Sequence, residues 1–194
     1  MKTDVIMISN KGQDMDKALL QAEKTAQYKE LGDKEALQLR LLTEEMLAMM
    51  RSITGTAEGR FWIEDEAEDG EYRLHLQVET VVDFDKREKL LAASSSGKNE
   101  AARGLMGKIR AFFDPLDGIP VYMNVSADNM NTHMSWSMRS YQEQIRLQLA
   151  ENREGAKEAW DELEKSVVSH VADDIKVSIR GREVEMVIIK KFQA

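Results

Sequence analysis

The chain has 194 residues, with 35 Asp and Glu against 27 Lys and Arg, no cysteine and a formal net charge of -8. Its length suits one ordinary domain with a substantial core, and its acidity argues against nucleic acid as a partner, because binding a phosphate backbone needs concentrated Lys and Arg. The lack of cysteine excludes disulfides and thiolate metal sites, and no apolar run has the length of a membrane span or the flanks of a signal peptide, so a cytoplasmic protein without membrane association is expected.

Residues 5–9, VIMIS, are apolar and partly β-branched, and Asn10-Lys11-Gly12 bounds them, which predicts a strand. Residues 14–31 carry Leu19, Leu20, Ala22, Ala26 and Tyr28 in a weaker amphipathic pattern, a helix closed by Gly32. Asp33 then caps the dominant helix, which runs to about Ile53 and stops at Gly55. Along it Leu39, Leu42, Met46, Met49 or Met50, and Ile53 recur at steps of three and four, so one side must face a core. Leu41 and Ala48 widen that side; Glu45 lies within it, and Glu44 turns outward towards Arg40. Desolvation disfavours the charged form of a carboxyl on an apolar face, one route to a general base. The plainer alternative is a helix-edge glutamate, partly solvated or paired.

Two strands follow, over residues 60–64 and 71–82, flanking an acidic turn that ends in Asp69-Gly70, a strong hairpin signal. The second alternates Tyr72, Leu74, Leu76 and Val78 with Arg73, His75, Gln77 and Glu79, one buried and one exposed face. The acidic stretch 64–71 lacks the ligand spacing of a calcium loop and reads as a solvated turn. Beyond Val82 the composition turns polar; a short helix over 99–113, a turn around Pro115 to Pro120 and a short strand over 121–125 are predicted.

Residues 133–150 read as a helix with Met134, Met138, Tyr141, Ile145 and Leu149 on one side. Residues 154–172 repeat the pattern through Trp160, Leu163, Val167 and Val171, so the two suit an antiparallel pair. That pair offers plain core packing or a partner surface anchored by Trp136 and Trp160. Residues 175–179 and 184–192 form a final hairpin across Arg180-Gly181-Arg182. His75, His133 and His170 lie too far apart for a zinc motif. Met130, His133, Met134 and Met138 are a soft-ligand set for Cu(I) or, more simply, part of an apolar stripe.

The order strand, helix, Glu-Glu helix, hairpin, loop region, helix, hairpin resembles the ATP-binding domain shared by histidine kinases and gyrase-type ATPases, the GHKL superfamily. The helix TEEMLAMM and the ending VVSHVADDIKVSIRGREVEMVIIKKF look most similar to its anti-sigma-factor serine kinase branch. The resemblance implies an α/β (α+β) two-layer sandwich of mixed or antiparallel sheet and helices, of the Bergerat type, spanning residues 1–194 with a helical insertion at about 95–155. It also implies an ATP pocket in which Glu45 is the catalytic carboxylate and residue 49 a Mg²⁺ ligand. Here residue 49 is Met, and a thioether does not replace an amide oxygen on a hard cation. The family's adenine-reading Asp and following Gly fall at Thr80 and Val82; shifting the register to Glu79 or Asp83 restores a carboxylate but no glycine. The phosphate-binding glycine turn falls near residues 161–165, which hold no glycine. Gly97, Gly104 and Gly107 are the alternative, or mark a helix kink and loop.

A regulatory, anti-sigma-like protein-binding module is therefore expected, one that has lost Mg-ATP chemistry and needs no cofactor. Its partner would be a sigma factor or an anti-anti-sigma-like protein. The competing reading is an active ATP-dependent protein kinase or ATPase using Glu45, with ATP and Mg²⁺ as cofactors. A third is a structural, homodimeric or otherwise oligomerising protein that reuses the fold.

Overall fold

The computed structural model describes residues 1–9, 13–54, 59–66, 70–79, 124–128, 131–180 and 183–192. In chain order the elements are β1 (Ile6–Ile8), α1 (Gln13–Tyr28), α2 (Asp33–Thr54), β2 (Gly59–Glu66) and β3 (Glu71–Glu79), then β4 (Asn124–Asp128) and β5 (Asn131–Ser137). They continue with α3 (Met138–Ala150), α4 (Ala156–Glu164), α5 (Val167–Val171), β6 (Asp174–Arg180) and β7 (Glu183–Lys191). The seven strands form one sheet in the order β1-β2-β3-β7-β6-β5-β4, and every pairing is antiparallel.

Alternation along the central strands sets the layers. Leu74, Leu76, Ile175, Val177, Met186 and Ile188 are buried on one face, while Arg73, His75, Gln77, Glu185 and Val187 on the other keep part of their surface in water. α2 packs on β3 and β7, α3 on β6, and α1 on β1 and β2, with α4 and α5 stacked on their neighbours. The expected α/β architecture with an antiparallel sheet is observed, and the helices among the described residues lie on the apolar face.

α2 buries Leu39, Leu42, Met46 and Met49 as its spacing predicts, but Leu47 is buried and Ala48 exposed, the reverse of the expected widening. The buried Thr43 hydroxyl donates to the Leu39 carbonyl at 2.9 Å, which makes a polar residue acceptable on the packed side. Asp33 is the first helical residue and not the cap; the Gly32 carbonyl accepts the first helical bond, from Ala36 N–H at 2.9 Å, and Asp33 and Glu35 interact favourably with the positive end of the helix dipole.

α1 ends without help from Gly32. Glu30 takes a left-handed conformation with φ 51°, its N–H donates to the Gln27 carbonyl and that of Leu31 to Ala26, the two bonds of a Schellman turn. A side chain in that conformation costs about 1 kcal/mol. Glu30→Gly is therefore expected to stabilise the fold by about 0.5 kcal/mol, once the added freedom of the unfolded chain is deducted. The midpoint of thermal unfolding should rise by roughly 1–2 °C; a fall would contradict this account.

Three local predictions gave way to tertiary pairing. Residues 133–137 continue β5, where Trp136 pairs with Val177 and is buried, and the helix begins only at Met138, with the Ser137 hydroxyl accepting from Ser140 N–H. A free edge on β6 outweighs helical periodicity in THMSWS, and Ser137 is a good helix cap. The second predicted helix breaks at Lys165-Ser166 into α4 and α5: the Ser169 hydroxyl donates to the Leu163 and Ser166 carbonyls. The break moves burial from Val167, which is exposed, to Val168. Of the strand predicted over 121–125, residues 124 and 125 belong to β4, which runs on to Asp128, and 121–123 lie outside the described residues; within the span expected to be a helical insertion β4 and β5 extend the sheet. The helix predicted over 99–113 and the turn at Pro115 to Pro120 lie outside the described residues.

The stretch 64–71 is not solvated throughout, and its residues 67–69 lie outside the described residues. Asp65 and Glu71 are both buried, held respectively by the Met1 ammonium with Lys29, and by Arg73 with Lys191. Gly70 between them has φ 61°, and a Cβ there would stand 2.6 Å from the Phe192 carbonyl oxygen, whose own N–H donates to the Gly70 carbonyl at 3.0 Å. Only glycine fits that approach.

Candidate functional site

Of the residues expected to line a nucleotide pocket, Glu45 and Met49 stand one turn apart on α2. Glu45 is half-buried at the flank of the packed side, and Met49 is in the hydrophobic core, 4 % exposed. Its sulfur is thus packed among apolar side chains, where no hydrated cation could reach it without opening the core. Glu79, at the exposed end of β3, faces Glu183 across the β3–β7 ladder. Thr80, Asp83, Gly97 and Gly104 lie outside the described residues, as does Gly107.

The aromatic anchors divide. Trp136 is a core residue beside Tyr141, with ring centroids 6.2 Å apart. Trp160 is half-buried on α4, its indole N–H donating to Glu164 at 2.7 Å and the Arg146 guanidinium lying over its ring. The soft-ligand set is not one stripe: Met138 is buried on α3, His133 and Met134 belong to β5, and Met130 lies outside the described residues.

On the open face of the sheet, His75 lies between two carboxylates. Its Nδ1 is 3.1 Å from Glu185 and its Nε2 3.5 Å from Glu64, while the ring stacks on Trp62 with centroids 4.7 Å apart and the Lys2 ammonium lies over that indole, 4.7 Å from its centre. The His75 hydrogen bond holds the Glu185 carboxyl below its ordinary range against the opposing effect of burial. Burial pushes the Glu64 carboxyl up, but bonds from Lys2 and Trp62 and the nearby His75 bring it below the ordinary value. The carboxylates occupy opposite ring nitrogens, a geometry that ties β2, β3 and β7 together and leaves no shared vertex for a metal. Among the described residues no group of three or more His, Asp or Glu could hold one.

The other concentration of features is at the β1 edge. α1 packs inward through Ala18, Ala22 and Ala26, small residues spaced by four, whose low profile draws the helix close to α2. That ladder turns Leu20 and Tyr28 outward, 48 % and 73 % exposed, although both were expected on the packed side. Together with Lys2, Ile6, Lys17 and Lys24 they line a groove of about 520 Å³ between α1 and the N-terminal segment. The segment is fixed: Thr3 N–H donates to the Ile63 carbonyl at 2.9 Å, Ile63 N–H returns to the Thr3 hydroxyl, and Gln21 donates to the Asp4 carbonyl. On the far side of β1, Val5 and Met7 are also exposed. Sequence periodicity missed this surface because it weighed Leu20 and Tyr28 above the alanines. The signal was the i, i+4, i+8 alanine series itself, which defines a packing face that excludes both.

Comparison with protein-family models, curated proteins and solved structures finds no match. No helix among the described residues is long and apolar enough to cross a membrane.

Proposed function

We propose that this chain is a regulatory protein-binding module of the anti-sigma kind, on a Bergerat-type scaffold that no longer performs Mg-ATP chemistry. Its partner would be a sigma factor or an anti-anti-sigma-like protein. The observation that carries the reading is the burial of Met49 in the core one turn beyond Glu45. A half-buried glutamate with a packed thioether beside it supplies one oxygen-bearing side chain where a phosphate-bound Mg²⁺ needs several oxygen donors. The exposed apolar residues at the β1 edge are the second support, since contiguous apolar surface on a soluble domain commonly marks a contact with another protein.

Thermal unfolding with and without millimolar ATP and Mg²⁺ tests the loss of nucleotide binding. A ligand at a hundred times its dissociation constant adds about 2.7 kcal/mol to the folded state, a rise in midpoint of roughly 5–10 °C for a chain of this size. No such rise is expected with ATP, ADP or GTP. A rise of that order, with phosphate release or transfer that disappears in Glu45→Ala, would replace the module with an active kinase or ATPase.

A further inference from the structure

We draw no further inference here: the strongest candidate, the groove between the N-terminal segment, the edge of β1 and α1, carries none, because its Lys2 is already paired with Glu64 and nothing in the structure shows what covers it.

Discussion

Asp65→Asn is expected to destabilise the protein by about 3 kcal/mol, from the cost of removing one member of a buried ion pair, and to lower the midpoint of thermal unfolding by roughly 6–12 °C. The Asp65 side chain is 3 % exposed and sits on the packed face of β2, where the Met1 ammonium and the Lys29 ammonium converge on its two oxygens. Asparagine keeps the shape and loses the charge, leaving two half-buried cations facing a neutral amide that is itself shut off from water. Lys29→Met, which removes one of two partners, should cost less. A drop below 1 °C for Asp65→Asn would show that the cluster is solvated in solution.

The same cluster makes stability depend on pH with a definite sign. Burial would push the Asp65 carboxyl up, but hydrogen bonds from Lys29 and the Met1 ammonium, with their charges, hold it below its ordinary value of 3.8. Its contribution is therefore complete above that value and is lost as pH falls through the lower folded value. The Lys29 ammonium is held above 10.5, chiefly by its bond to Asp65 and against the effect of burial. Its share is complete below 10.5 and is lost as pH rises through the folded value. Denaturant midpoints measured between pH 2 and pH 6 should show a steeper acid loss in the parent than in Asp65→Asn, and parallel curves would contradict the assignment.

Met49→Asn is expected to lose about 3–5 kcal/mol, combining lost apolar packing with a buried amide that has no partner, a fall in midpoint on the order of 10 °C. The variant restores the residue type that the resemblance places at this position. Met49→Leu conserves volume and polarity and should cost less than about 1.5 kcal/mol. The pair separates two views of the same residue. If position 49 is core, Leu is tolerated, Asn is not, and neither variant gains a thermal shift with ATP and Mg²⁺. A stable Met49→Asn that acquires such a shift would show that the position opens on a nucleotide pocket and would remove the main support for the proposed function.

The His75 cluster shows why a buried-looking histidine need not be a reactive one. Its two ring nitrogens face carboxylates from the neighbouring strands β2 and β7, and its ring is stacked on Trp62. Every partner is thus supplied by cross-strand register, in which Trp62 stands opposite His75. The alternation of residues 71–79 was enough to put His75 on the open face, but the partners come from chain positions more than a hundred residues apart.

Some features of this protein follow from its sequence alone because their cause is local. The packed side of α2, the alternation of β3 and the C-terminal hairpin each have an apolar period that fixes which face is buried whatever the partner, and the structure has all three. The left-handed Gly70 before β3 is likewise foreshadowed by Asp69-Gly70. Other features depend on what the element meets. Residues 131–137 became a strand because β6 offered an unpaired edge, and Asp65 became buried because the N-terminal segment and Lys29 arrive at the end of β2. Met49 carries the same periodic signal whether it faces a pocket or a core, so only the packing of α2 on β3 and β7 decides between them. The groove at β1 is tertiary in the same sense. The alanine ladder of α1 chooses α2 as its neighbour, and that choice leaves Leu20, Tyr28 and two lysines along the open edge of the sheet.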